Sequence, residues 1–333
     1  MDERGAIERL RTNATHPVAR GLLDDAALLD GLVLTHDSIA EGVHYLPGDP
    51  ADSVGWKLVA VNLSDLAAKG ARPVAALLSL TLTGDDAWEA GFLDGVEQAC
   101  MKFGLALVGG DTIALPPGAP RVLGLTAIGQ AGATTPSRSG GRPGDVLWLI
   151  GTLGDSAAGL AELRANPAAT GPLVEAYRRP QPLLEAGAAL APHATAMMDV
   201  SDGLLLDLTR MIAASGCGAE VELEALPLSD AFIADRGNYR SARLFAATGG
   251  DDYALLAALP PEVDPNLTLC LPSTPSIACI GTLVAGEILS LADADGPVSL
   301  PEHLGHEHRA FQSSSLDDRA GRPRLRDGDG APH

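Results

Sequence analysis

Short apolar runs that predict β-strands alternate along this chain with longer segments whose apolar residues recur at the spacing of a helix. The first predicted element is a hairpin broken at Asp30-Gly31, whose second strand ends before Asp37. A helix over residues 54–68 follows, capped by Ser53 and terminated by Gly70. The other predicted elements of this half are a helix at 85–103 and strands at 74–82, 105–108 and 122–130. The alternation indicates a mixed α/β architecture.

Residues 134–144 are dense in Gly, Ser, Pro and Arg and are the best candidate for an interdomain linker. Beyond them, the order strand, turn and helix occurs at 146–164 and again at 196–214, which is typical of an α/β domain. Further strands are predicted at 219–223, 254–258 and 277–284. We therefore expect an N-terminal domain over residues 1–136, a C-terminal domain over residues 137–311 and a disordered polar tail over residues 312–333.

Composition limits the classes of function. The formal net charge of −20 opposes binding to nucleic acid and to anionic membranes. No apolar run approaches the roughly 20 residues that span a bilayer, and the N-terminus lacks the pattern of a secretory signal, so we expect a cytoplasmic protein. The four cysteines have the surroundings of buried thiols and lack Cys-x-x-Cys spacing, which indicates neither disulfides nor a zinc site.

The lysines argue against the commonest phosphate-binding loop. Only Lys57, Lys69 and Lys102 occur, and none follows a glycine-rich loop in the order of a P-loop kinase. No Gly-x-Gly-x-x-Gly sequence opens a helix after a strand, so a Rossmann dinucleotide site has no support. A chain this acidic needs bound cations if it handles phosphate.

Aspartates fall mostly at predicted strand ends and helix starts, where functional sites commonly form. These positions are Asp24, Asp25, Asp37, Asp65, Asp111, Asp199, Asp202, Asp251 and Asp252. Magnesium takes hard oxygen ligands and is usually held by one or two carboxylates together with water and substrate phosphates. A multi-metal phosphate site therefore needs aspartates from several elements, and this distribution would supply them.

Each position also has an ordinary structural interpretation. Asp24 and Asp25 suit a turn, and Asp65 is spaced to pair with Lys69 on one helix face. Ser201 or Asp199 would serve as a helix N-cap, although a helix start there would also attract phosphate through its free amides. A lone histidine such as His44 is more often structural than functional.

Two Gly-Gly-Asp sequences favour function more strongly. Gly110 precedes Asp111 at the predicted end of a strand, and paired glycines let the backbone approach a ligand closely. Residues 248–253 repeat this strand-end arrangement in the second half, with a charged turn as the equal alternative.

The ordered set of these motifs resembles the thiamine-monophosphate kinases over about residues 21–298. The motifs that carry the resemblance are Asp24-Asp25-Ala26-Ala27-Leu28, Thr35-His36-Asp37, Glu41-Gly42-Val43-His44, residues 61–73, Gly109-Gly110-Asp111-Thr112, Ser137-Arg138-Ser139-Gly140, residues 151–160, Asp199-Val200-Ser201-Asp202-Gly203-Leu204 and Gly249-Gly250-Asp251-Asp252-Tyr253. The resemblance implies the two-domain α/β (α+β) fold of the aminoimidazole-ribonucleotide synthetase superfamily, with mixed sheets flanked by helices. It also implies a homodimer through the N-terminal domains, with ATP near the interface.

The implied reaction transfers a phosphoryl group from ATP to thiamine monophosphate, with several Mg²⁺ ions. By position, the resemblance assigns metal binding to Asp25, Thr35, Asp37, Asp65, Asp111, Asp199 and Asp202. It assigns nucleotide contacts to Gly110, Asp111, Arg138 and Ser201, and contacts to thiamine phosphate to His44 and Asp251. Asp111, Arg138 and Asp202 are the expected catalytic residues, with Arg138 as the one fixed protein cation near the transferred group.

Several positions depart from the family pattern. Leu23 stands where a glycine is expected, His36 replaces a hydroxyl residue, and Asp251 replaces a glutamate. No aromatic residue that would stack on the substrate is identifiable over residues 300–308. These departures leave two alternatives: an enzyme of the superfamily with another small phosphate acceptor, or a paralogue that binds ATP without turnover. The run over residues 61–73 argues for the thiamine branch.

Overall fold

The computed structural model describes residues 3–116, 118–269 and 275–307, and the predicted polar tail lies outside them. Helix α1 (Glu3–Arg11) and a 3₁₀ segment (Pro17–Leu22) lead into strands β1 (Ala27–Leu29) and β2 (Leu32–Ala40). The predicted hairpin is confirmed, because Leu29 pairs with Leu32 across Asp30-Gly31. The predicted end before Asp37 is wrong: β2 continues to Ala40, where it still pairs with Val122.

The rest of the first half consists of α2 (Ala51–Ala68), β3 (Arg72–Leu82), α3 (Asp86–Phe103), β4 (Ala106–Ala114) and β5 (Val122–Gln130). Its five strands form one sheet in the order β1-β2-β5-β3-β4, in which β3 and β4 are parallel and the other pairs antiparallel. The prediction that the strand at 105–108 stops at the glycines is wrong. Strand β4 runs on to Ala114 because β3 supplies a parallel partner along its whole length.

Besides a short 3₁₀ segment (Leu223–Ala225), the second half contains fourteen helices and strands among the described residues. They are β6 (Val146–Ile150), α4 (Asp155–Ala165), α5 (Pro172–Arg178), α6 (Leu184–Leu190), β7 (Ala196–Val200), α7 (Leu204–Ser215), β8 (Gly218–Glu222), α8 (Asp230–Arg236), α9 (Arg240–Gly249), β9 (Ala254–Leu259), α10 (Pro265–Thr268), β10 (Ile277–Val284), β11 (Leu289–Asp293) and β12 (Gly296–Val298). Seven strands form a mixed sheet in the order β12-β11-β8-β10-β6-β9-β7. The expected pair of mixed sheets flanked by helices is therefore confirmed.

Two loops in this half differ from their predicted form. Helix α7 begins at Leu204 with Gly203 as its N-cap, so the predicted capping by Asp199 or Ser201 is wrong. The second Gly-Gly-Asp sequence does not follow a strand. Thr248 and Gly249 end helix α9, and residues 250–253 connect that helix to β9.

Helix α2 lies between the two halves. It contacts β2 and β5 of the first sheet on one side and α6 and β7 of the second half on the other, and every residue from 53 to 68 is buried. Gly187 of α6 permits this packing, because a Cβ there would lie 1.9 Å from the Ala67 carbonyl oxygen. Gly70 ends the helix at φ +60° as predicted. Ser53 is not the cap; it lies inside the first turn, and its hydroxyl donates to the Pro50 carbonyl at 2.7 Å.

Two further expectations can be compared with the described residues. Cys100 and Cys217 are buried, but Cys279 is exposed, and Cys270 lies outside the described part of the chain. Among the helices that the structure describes, none is long and apolar enough to cross a membrane.

Candidate active site

Three carboxylates from different parts of the fold converge beside α2. Asp25 precedes β1, Asp65 lies in the last turn of α2, and Asp199 is the penultimate residue of β7. One oxygen from each lies within 4.8 Å of the others, and we call this set the acidic cluster. The Thr35 hydroxyl on β2 donates to the Asp65 carboxylate. The two halves of the chain therefore build this group together.

Burial and mutual repulsion act strongly on the acidic cluster. Burial raises the pKa of Asp65 well above its ordinary value, and the charges of Asp37, Asp199 and Asp25 raise it further. Burial and the charge of Asp25 raise the pKa of Asp199 to about 8. Hard oxygen donors this close together are costly as anions without a cation among them. The donor set therefore fits Mg²⁺, which prefers such oxygens.

Basic side chains form ion pairs with the adjacent aspartates Asp24 and Asp25. Lys69 Nζ lies 2.6 Å from Asp24 Oδ1 and 2.5 Å from Asp25 Oδ2. Arg138 also pairs with Asp25, and Arg20 with Asp24. Burial acts to raise the pKa of Asp24, but Lys69 and Arg20 outweigh it and lower the pKa to about 2. The alternative in which Lys69 pairs with Asp65 is wrong, since Lys69 reaches the paired aspartates instead.

A cavity of about 440 Å³ opens beside the acidic cluster and runs between the two halves of the chain. It gathers most of the residues that the sequence proposed for the site. Those that line it are Asp25, Thr35, Asp37, His44, Asp65, Arg138, Asp199, Ser201, Asp202 and Asp251. A volume of this size suits a small-molecule ligand. We call it the interdomain cleft.

Gly110 and Asp111 are the two proposed residues that do not line the interdomain cleft. They lie on β4, the edge strand of the first sheet, where Asp111 pairs in register with Ser79. All nine residues of β4 are exposed. Strands β3 and β5 separate β4 from β2, which carries Thr35 and Asp37. A single chain therefore does not bring Asp111 to the acidic cluster.

The loop between β7 and α7 is held by a buried aspartate. Asp207 Oδ2 accepts the backbone N–H groups of Ser201 at 3.1 Å and Asp202 at 3.0 Å. The expectation that these amides are free for phosphate is wrong. Arg210 Nη1 donates to Asp202 Oδ2 at 2.5 Å and to Asp207 Oδ1 at 2.7 Å, and Arg210 lines the cleft. Arg138 is thus not the one fixed cation there.

A second group of cleft residues is built around Asp251, whose backbone lies in the left-handed region at φ 63°. Such strain at a non-glycine residue is common at functional sites. Asp251 Oδ2 accepts from Lys57 Nζ at 2.5 Å and from Ser156 Oγ at 2.7 Å, and Oδ1 accepts the Tyr253 hydroxyl at 2.8 Å. His44 Nδ1 accepts the Ala40 N–H at 3.0 Å, which places the proton of a neutral ring on Nε2.

Sequence reasoning missed four charged residues of this region: Lys57, Lys69, Asp207 and Arg210. The two lysines carried a usable signal, because each belongs to a helix whose apolar pattern predicts burial, and buried lysines are nearly always paired. Asp207 and Arg210 gave no such signal. Their roles depend on the fold of the loop before α7.

Comparison with known proteins agrees with this architecture. The model of the AIR synthase related protein N-terminal domain matches residues 23–131, and that of the C-terminal domain matches residues 142–293. A thiamine-monophosphate kinase of Salmonella typhimurium strain LT2 is 40% identical over 266 residues, covering 76% of this chain and 80% of the relative. This chain belongs to the thiamine-monophosphate kinase family.

Other members of the thiamine-monophosphate kinase family extend the match. The Escherichia coli K12 enzyme of that name is 37% identical over 318 residues, which cover 91% of this chain and 96% of the relative. The solved structure of AaThiL complexed with AMPPCP and TMP superposes with a TM-score of 0.79 at 31% identity, covering 92% of this chain and 97% of that one. The resemblance drawn from the motifs and the fold class it implied are both confirmed.

Proposed function

We propose that this protein transfers the γ-phosphoryl group of ATP directly to thiamine monophosphate, giving ADP and thiamine diphosphate. The observation that carries the proposal is the interdomain cleft itself. In a member of this family, it gathers ten of the proposed site residues from both halves of the chain. The relatives named thiamine-monophosphate kinase support the reaction, and the AaThiL complex with AMPPCP and TMP supports the pair of substrates.

We further propose that Mg²⁺ ions bind at the acidic cluster. Asp25, Asp65 and Asp199 would hold them, joined by Thr35, Asp37 and Asp202 along the same cleft. When bound, the ions would neutralise the triphosphate and the charge that develops during phosphoryl transfer. The close spacing of buried carboxylates with raised pKa supports this assignment, since a cation would relieve their repulsion.

The protein's own residues would orient and neutralise the reactants. Burial lowers the pKa of Arg138, but the charge of Asp25 raises it above its ordinary value, so Arg138 stays charged beside the phosphates. His44 and Asp251, which also line the cleft, would position the acceptor. The attacking phosphate oxygen is already ionised at neutral pH, so the chain needs no general base. We therefore propose in-line attack on the γ-phosphorus with no phospho-enzyme.

A homodimer would bring Asp111 into the site. Strand β4 exposes Leu107, Val108 and Ile113, and the adjacent strand β3 exposes Leu77. An exposed edge strand with apolar side chains is a surface that proteins normally cover. We propose that a second copy covers it and that Asp111 then reaches the partner's cleft. We also propose that the domains divide after residue 136, which the unmatched gap between residues 131 and 142 supports.

An acceptor panel tests the proposed reaction. Purified protein with ATP and excess Mg²⁺ is expected to release ADP with thiamine monophosphate and to form thiamine diphosphate in equal amount. Thiamine, which lacks the attacking phosphate, and ribose 5-phosphate, which lacks the thiamine rings, are the controls and should give background rates. ADP release with ribose 5-phosphate but not with thiamine monophosphate would show that the acceptor was assigned wrongly.

Magnesium should stabilise the protein more at higher pH. A carboxyl group with a raised folded-state pKa destabilises the fold as pH rises from its unfolded value towards its folded one. For Asp199 that window runs from 3.8 to about 8. Below about pH 8 protons compete with Mg²⁺ for this carboxylate, so the increase in Tm on adding Mg²⁺ should be small near about pH 6 and roughly 5 °C near about pH 8. Thermal unfolding at matched ionic strength measures this increase, and an increase that is equal at both pH values would contradict the account.

A further inference from the structure

Helix α2 and its C-cap residue carry two of the most deeply buried charges of the described residues. The side chains of Lys57 and Lys69 are 2% and 0% exposed. Each crosses to residues outside the helix: Lys57 reaches Asp251, and Lys69 reaches Asp24 and Asp25. A buried ammonium group is retained only when carboxylates or carbonyls compensate it. Both lysines are therefore fixed cations behind carboxylates that line the interdomain cleft.

Lys69 touches the acidic cluster directly. Its Nζ lies 2.5 Å from Asp25 Oδ2, the second oxygen of a carboxylate whose Oδ1 already pairs with Arg138. It also donates to the Met197 carbonyl at 3.1 Å, on the strand that carries Asp199. With a side chain that is completely buried, Lys69 cannot swing out into solvent as a surface lysine would. It would therefore compete with a divalent cation for Asp25.

We infer that Lys69 is an internal counter-ion that weakens divalent-cation binding to the nucleotide-free cluster, so that the metal is held firmly only when ATP brings additional phosphate ligands. The inference rests on the proposed metal-assisted function and deepens it. Lys69 is a positioning residue here, because it acts through Asp25 and not on the substrate. With Lys69 and Arg138 both paired to Asp25, the empty cluster is partly neutralised before any metal arrives.

The test variant removes the ammonium group together with one of the two carboxylates that it contacts. Lys69→Met combined with Asp24→Asn deletes one positive and one negative charge, so the net charge of the chain is unchanged. Asp25, Asp65 and Asp199 all remain. The matched control is Arg178→Met with Asp49→Asn, which deletes a largely buried ion pair whose members do not line the interdomain cleft.

Mn²⁺ binding to the nucleotide-free proteins is the readout, measured by electron paramagnetic resonance of free Mn²⁺. Freeing Asp25 Oδ2 from an ammonium group at contact distance should lower the Kd for Mn²⁺ about tenfold in the Lys69 double variant, although the net charge is unchanged. The Arg178 double variant should keep the wild-type Kd. Thermal unfolding establishes that each variant is folded before binding is compared.

The outcomes separate this inference from the proposed function. Unchanged or weaker Mn²⁺ binding in the folded Lys69 double variant would overturn the role given to Lys69. Equal tightening in both double variants would overturn it too, since the effect would then not be local to the cluster. If Mn²⁺ bound to neither the wild type nor the variants, the proposed metal site itself would fail.

Discussion

Replacing Asp199 by Asn is expected to lower kcat for thiamine diphosphate formation by about 10³-fold, the scale seen when a group that stabilises developing charge is removed. Asp199 belongs to the acidic cluster, and an amide supplies no negative charge to a bound cation. The rate at saturating ATP, thiamine monophosphate and Mg²⁺ measures the effect. Activity within tenfold of the wild type would remove Asp199 from the metal site.

The stability of the same variant distinguishes a lost function from a damaged fold. Burial and the charge of Asp25 raise the pKa of Asp199 to about 8, so this carboxyl group makes the metal-free protein less stable as pH rises towards that value. The asparagine of the Asp199→Asn protein carries no charge at any pH, and this variant should therefore unfold at an equal or higher temperature than the wild type in EDTA. Asp293→Asn is the control for activity and should leave kcat unchanged. Asp293 pairs with Arg240, and neither residue lines the interdomain cleft.

Subunit mixing should restore activity that two single variants lack. Asp65→Asn removes a carboxylate of the acidic cluster, and Asp111→Asn removes one that a single chain leaves outside the cleft. If Asp111 acts in the partner's cleft, a heterodimer of the two variants has one site with both aspartates and one with neither. Differently tagged copies, co-expressed and purified through both tags, should then recover about half of the wild-type activity per dimer.

The same experiment can contradict the dimer proposal. If Asp65 and Asp111 serve the same chain's site, every site in the heterodimer lacks one of them, and the mixed protein should stay as inactive as its parents. The matched control mixes Asp65→Asn with Asp199→Asn. Both of those residues belong to one acidic cluster, so that heterodimer should remain inactive in either case.

Local sequence patterns predicted most elements, because their causes are local. The Asp30-Gly31 turn has the residues that a two-residue hairpin requires, and Gly70 supplies the left-handed stop of α2. The order of the motifs proposed twelve site residues, and the interdomain cleft gathers ten of them.

The errors arose where distant partners decide the structure. The glycines before Asp111 predicted the end of a strand, but pairing with β3 extends β4 through them to Ala114. Helix α7 begins later than predicted, at Leu204, because Asp207 accepts hydrogen bonds from the amides of the preceding loop. Lys69 was spaced to pair with Asp65 along the helix, yet the fold offers it two buried aspartates from another segment. A single sequence does not show which of several carboxylates a buried lysine will meet.

A single-turnover experiment with γ-labelled ATP tests the central claim most directly. Protein in excess over ATP is mixed with thiamine monophosphate and Mg²⁺, quenched over time, and the label is followed in ATP, in thiamine diphosphate and on the protein. Direct transfer predicts that label leaves ATP and appears in thiamine diphosphate in one phase at the same rate, with none on the protein. Label that accumulates on the protein first, or is released only as free phosphate, would contradict direct transfer to thiamine monophosphate.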